Sequence, residues 1–133
     1  MNTLAKFVIV FAASLMLNAC APEISYTPAP LLFPEAATVD GSADVTLPVA
    51  VQIHLNTGYS RELPAQSRWR RAGHLPEGNV YRPVASVFTV EGHQVHEAYL
   101  VIRGNMLVGF YLPVESGFSP LTPPVQLPQG VFQ

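Results

Sequence analysis

An all-β chain is what this sequence predicts, folded as a small antiparallel domain, barrel-like or a compact sandwich. Three observations carry that expectation. Residues 45 to 55 alternate apolar and polar with period two, residues 84 to 113 read as paired strands around glycine turns, and no sustained helical period follows residue 20.

The first nineteen residues come before the fold. Lys6 is the only charge ahead of the apolar run Phe7 to Leu17, and that run is short against the roughly 20 residues a membrane span needs. A short apolar run behind a lone basic residue is the pattern of an export signal. The run ends on Leu17-Asn18-Ala19-Cys20. This segment resembles the lipobox of bacterial lipoproteins, with an aliphatic residue, a small residue before the cut, and the cysteine to be acylated. The resemblance covers residues 1–20 only. It implies a signal peptide over 1–19, cleavage before Cys20, a diacylglycerol on the thiol and a third acyl chain on the new amino terminus. Two or more chains anchor stably where one is marginal. Ala21 stands where an aspartate would retain such a protein at the inner membrane, which implies the outer membrane, periplasmic side. The alternative is an ordinary secretory signal cut near Ala19 or Ala21, leaving Cys20 as a free or removed thiol.

Residues 20–44 carry Pro22, Pro28, Pro30 and Pro34 and show no regular period, so a lipidated, semi-extended tether is expected there. Leu31, Leu32 and Phe33 are too apolar for pure linker and would dock on the domain or on a partner. The domain is expected over residues 45–121, one core and no more. Along Val45 to Leu55, Val45, Leu47, Val49, Val51, Ile53 and Leu55 share a face, and Pro48 argues for an edge position or a late start to the pairing. A loop follows at 59–66, then a short strand at Arg68 to Ala72, and a further one near Val80 to Arg82.

The run from Val84 to Pro113 reads as a three-stranded meander, with turns at Glu91-Gly92 and Gly104-Asn105. That register pairs Arg103 with Met106, Ile102 with Leu107, Val101 with Val108 and Tyr99 with Phe110, and it sets Val90 opposite His93. Val84, Phe88, Val90, Val95, Tyr99, Val101, Met106, Val108, Phe110 and Leu112 would form the core face. The opposite face, with Ala98, Leu100, Ile102, Leu107 and Tyr111, is also apolar and must be covered too. Residues 122–133 are expected to be a proline-rich tail.

Six arginines remain beyond residue 20 against nine carboxylates, which argues against a nucleic-acid binder because such a protein needs a basic face. Cys20 is the only cysteine, so no disulfide supports the fold. His93, His96 and Glu97 are the one close set of potential metal ligands. On a strand, however, the histidines point to opposite faces, and His93 and Glu97 lie about 13 Å apart at roughly 3.3 Å per residue. No metal or cofactor is implied. Glu97 falls on the core side of the expected register, near Ser86. There is no Gly-x-Ser-x-Gly elbow, no phosphate loop and no evident carboxylate pair, so the chain is read as non-enzymatic.

The binding candidates are Arg68, Trp69, Arg70 and Arg71, where arginines flank an aromatic ring, and the aromatics Tyr99, Phe110, Tyr111 and Phe118. Against the binding role stands the reading in which Trp69 is core and the arginines are the wet side of an edge strand. The expected function is an accessory or scaffold lipoprotein, held to membrane lipid through acylated Cys20 and docked on an envelope protein. The alternative is a binder of a periplasmic ligand, a cell-wall glycan or a hydrolase.

Overall fold

A computed structural model describes residues 22–33 and 43–132, and among these it contains only strands, turns and loops. The segments are β1 (Thr27–Pro28), β2 (Val45–Thr46), β3 (Val51–His54), β4 (Ser60–Leu63), β5 (Arg68–Leu75), β6 (Gly78–Pro83), β7 (Thr89–Glu91), β8 (Val95–Glu97), β9 (Tyr99–Arg103), β10 (Met106–Leu112) and β11 (Gly117–Gln126). Seven of them form one antiparallel sheet in the order β1-β11-β10-β9-β6-β5-β2, while β3-β4 and β7-β8 are separate two-stranded ribbons. The fold is all-β, as the sequence predicts. The sheet does not close into a barrel; sheet and ribbons are arranged as in a sandwich.

The main core lies between one face of the sheet and the ribbons. Leu100, Ile102, Leu107, Phe110 and Leu112 from the sheet meet Ile53 and Leu63 from the first ribbon and Val90 from the second. Full burial of each such side chain is worth about 1.5–3 kcal/mol. Neither ribbon is stable alone, since isolated hairpins are marginal in water. They hold because their inner residues close this core.

The expected strand at 45–55 is split. Val45 and Thr46 pair with Trp69 and Arg68 in the sheet, whereas Val51 to His54 pair with Leu63 to Ser60 in the ribbon. Pro48 and Val49 form the bend between the two, and Leu47, fully buried, is the hinge. Proline cannot donate to a ladder, so the chain leaves one layer there and enters the other. The expected loop at 59–66 contains β4, the partner that this change of layer creates.

The Gly104-Asn105 hairpin is found as expected, with Met106 opposite Arg103 and Leu107 opposite Ile102. Beyond these pairs Val108 is an extra residue, so Gly109 faces Val101, Phe110 faces Leu100 and Tyr111 faces Tyr99. A bulge of one residue exchanges the two faces of a strand. The main core therefore takes Leu100, Ile102 and Leu107 from the face expected to be secondary, together with Phe110 and Leu112 from the other. Gly109 sits at the bulge because a Cβ there would collide with the Ser119 carbonyl oxygen and the Phe118 ring.

The first expected hairpin is corrected too. Val90 pairs with His96 rather than His93, around a three-residue turn at Gly92-His93-Gln94, and the strand beside β9 is β6 rather than β7. Glu97 pairs with Thr89 and is half-buried, not sealed in the core near Ser86.

Both proline-rich segments enter the fold. Thr27 and Pro28 pair with Phe118 and Gly117, Leu32 forms a bridge to His74, and Ile24 and Ala29 are buried. At the other end β11 runs to Gln126, and Leu127 and Phe132 join the main core, with the Phe132 ring set edge-on to Tyr81 at 4.9 Å. The domain thus draws on residues outside 45–121. Prolines 120, 123 and 124 are tolerated in β11 because β1 covers only its first two residues, and the outer edge beyond them asks for no donor.

The segment from Pro28 to Leu32 starts on the outer side of β11 and ends on the outer side of β5. Four residues reach at most about 14 Å, whereas six inter-strand spacings of a flat sheet would separate the two positions by roughly 28 Å. The sheet is therefore strongly curled. Ala29 and Leu31 pack with Leu75, Val80, Val101, Tyr111 and Phe118 in a second cluster on the face away from the ribbons. This supplies part of the cover that the two-sided apolar pattern requires.

Candidate functional site

Antiparallel pairing sets the candidate residues in order across the sheet. Arg70 faces Arg82, Tyr99 faces Tyr111, Tyr111 faces Phe118 and Phe118 faces Thr27. Tyr81 faces Leu100, and one step further in that register brings Arg82 level with Tyr99. Side chains of directly paired residues project to the same side. The second face therefore carries one row, Arg70, Arg82, Tyr99, Tyr111 and Phe118, drawn from five adjacent strands. Its aromatic end packs on the second cluster; its arginine end is open to solvent.

Arg70 at the end of the row and Arg68 beside it on β5 are held by Asp44. The Arg70 guanidinium donates through Nε to Asp44 Oδ1 at 2.7 Å and through a terminal nitrogen to Oδ2 at 3.2 Å, and Arg68 lies 3.8 Å from Oδ2. The Arg70 hydrogen bond holds the Asp44 carboxyl below the usual carboxylate range, and the charges of Arg70, Arg68 and Arg82 act in the same direction. Three arginines share one carboxylate, so the patch keeps positive charge. The rings of Tyr99 and Tyr111 stand 6.0 Å apart, tilted by 40°. Burial raises the Tyr99 phenol above its ordinary value, and the nearby Glu97 carboxylate adds to that, opposed by Arg82.

Not every sequence candidate joins this row. Trp69 points the other way, is 2% exposed, and meets Phe88 edge-on at 5.8 Å. Its indole N–H donates to Ser67 Oγ at 3.0 Å, so the ring is a satisfied core residue and no platform for a ligand. Arg71 also falls off the row, donating to Asn79 Oδ1 at 2.9 Å. Tyr111 and Phe118, binding candidates, are buried because β1 and Ala29 cover them, and Phe110, on the expected core face, lies in the main core. Cys20 lies outside the described residues.

His93, His96 and Glu97 do not come together. His96 is buried on the core side of its ribbon and its Nδ1 lies 2.7 Å from Glu115 Oε1, in the turn between β10 and β11. With Glu115 ionised, Nδ1 carries the proton and donates. His96 Nε2 and Glu115 Oε2 are buried without hydrogen-bond partners among the described residues. A relay for nucleophilic catalysis would need a hydroxyl or thiol on Nε2, and among the described residues that atom has none. Among the described residues no group of three or more histidine, cysteine, aspartate or glutamate side chains could hold a metal ion.

A cleft of about 230 Å³ opens where the described chain begins, between residues 23–25, the turn after β3 and the middle of β11. Its floor is Ile24, Leu55, Val90, Phe110 and Leu121. Asn56 braces one wall, donating to the Pro120 carbonyl at 3.0 Å and accepting from the Thr122 amide at 3.0 Å.

Sequence reasoning missed Arg82 and the cleft. Arg82 was legible in principle, two residues from Val80 on one strand as Tyr99 is from Val101 on another. The cleft joins residues separated by nearly the whole domain and leaves no local signal. No protein-family model, curated protein or solved structure matches this chain.

Proposed function

We propose that the chain is a bacterial lipoprotein, acylated at Cys20 on the periplasmic side of the outer membrane, and that its β domain is a non-enzymatic accessory or scaffold subunit of a cell-envelope assembly. The observation that carries the docking role is the open end of the row, Arg70 and Arg82 with half-buried Tyr99 beside them, on the sheet face away from the ribbons. Arginine and tyrosine are the residue types that interfaces favour, and an aromatic-to-basic strip fits a protein surface presenting carboxylates beside apolar side chains. The glycan reading built on Trp69 has lost its platform to the core, and a periplasmic ligand would have to use Tyr99 instead.

In-cell photo-cross-linking tests the proposal, with the probe placed at Arg82, at Tyr99 and at Val114, the last being exposed in the turn after β10. One envelope protein captured from Arg82 and Tyr99 but not from Val114 is the expected result. Equal capture at all three positions, or none at the first two, overturns it.

A further inference from the structure

The cleft at the start of the described chain has a composition that narrows its occupant. Its floor is apolar, and apart from the exposed Glu23 and Ser25 the polar side chains at its rim are already engaged. Asn56 is bound to β11, Thr57 Oγ1 donates to the Glu91 carbonyl at 2.6 Å, and Ser119 Oγ donates to the Ser25 carbonyl at 2.7 Å. A polar ligand would find few free partners here, while hydrocarbon would find Ile24, Leu55 and Leu121. At about 230 Å³ the cleft falls short of the roughly 300 Å³ at which sites for whole drug-sized molecules begin. It suits a length of chain.

Chain connectivity says which hydrocarbon is nearest. The Pro22 carbonyl accepts from the His93 amide at 3.1 Å, and Glu23, Ile24 and Ser25 form one wall of the cleft. Cys20 stands two residues before Pro22, at most about 7 Å away along the backbone. We infer that this cleft seats one acyl chain of the lipid on Cys20 of the same molecule. The inference rests on the lipoprotein reading. A chain held there packs on the apolar atoms that line the cleft and fixes the domain against the bilayer, with the β7-β8 turn and the turn after β3 toward the membrane, while the other chains enter the membrane.

The test uses the full mature protein, purified from bacterial membranes with carbon-13 in its isoleucine, leucine and valine methyl groups and placed in nanodiscs of perdeuterated phospholipid. Intact mass reports the acyl chains on Cys20. In this setting the anchor's own chains are the only protonated lipid, so nuclear Overhauser cross-peaks from acyl methylenes to the methyls of Ile24, Leu55 and Leu121 are the expected result. A lipid-bearing protein with no such cross-peaks overturns the inference and leaves the lipoprotein reading standing. Cross-peaks that arise only with protonated phospholipid overturn it in favour of a bilayer lipid. A mass without acyl chains overturns both.

Discussion

Gly73→Ala is the substitution that most directly probes how the N-terminal segment belongs to the domain. Gly73 lies on β5 beneath the crossing segment, and a Cβ built there would sit 2.5 Å from the Leu32 carbonyl oxygen and 3.0 Å from Leu31 Cδ1. The oxygen cannot yield freely, because it accepts from the His74 amide at 2.8 Å while the Leu32 amide donates to the His74 carbonyl at 3.0 Å. Alanine must therefore break this two-bond bridge or shift β5. Two hydrogen bonds at a net 0.5–1.5 kcal/mol each give a loss of about 1–3 kcal/mol. At roughly 4–8 °C per kcal/mol for a domain of this size, the melting temperature falls by about 10 °C. Thermal unfolding by circular dichroism reads the shift, and amide hydrogen exchange locates it at Leu32 and His74. If the melting temperature stays within about 2 °C and the Leu32 amide keeps its protection, the segment is not seated as described and the reasoning fails.

Other substitutions test the remaining features. Phe132→Ala removes a buried ring at the far end of the chain and costs about 3 kcal/mol in denaturant unfolding; an effect under about 0.5 kcal/mol would place residue 132 outside the core. Glu115→Ala leaves both nitrogens of buried His96 without partners and costs about 1–3 kcal/mol. The double replacement His96→Leu with Glu115→Leu is milder in the same unfolding assay, and a larger loss for the pair would contradict the buried-polar account. Asp44 titrates below the usual carboxylate range. Because its native pKa is depressed, its contribution to stability is present above the unfolded-state value and is lost as pH falls through the native one. Carboxyl carbon NMR should show that low value returning toward normal in Arg70→Ala, and an unchanged titration would sink the assignment.

How much was legible follows from which forces act locally. The Gly104-Asn105 turn set the register of its hairpin because two-residue turns are chosen by nearby chemistry. Val108 looks like any strand residue, and its role as the bulge is decided by Gly109 and Phe118 across the sheet, so the face assignment broke there. Pro48 was read correctly as unfit for a central strand, but the outcome, a change of layer, depends on β4, whose Ser60 to Leu63 shows little apolar pattern on its own. Proline-rich composition suggested a tether and a tail. What overrides it is tertiary pairing at edges, where a missing donor costs nothing, and the anchors Ile24, Leu127 and Phe132, which are isolated apolar residues in their segments. Arg70, Tyr99, Tyr111 and Phe118 were all picked from sequence, yet their alignment in one row needs the pairing of five strands.

The pairing of β1 with β11 joins positions near opposite ends of the described chain, with Thr27 opposite Phe118. In a protein delivered across a membrane amino end first, as proposed here, β1 has no strand partner until almost the last segment emerges. Contacts so distant in sequence form late, since the intervening chain must be ordered before they are rewarded. Such a topology keeps the incoming polypeptide open and threadable during translocation, and makes arrival of the C-terminal strand the event that seals the domain.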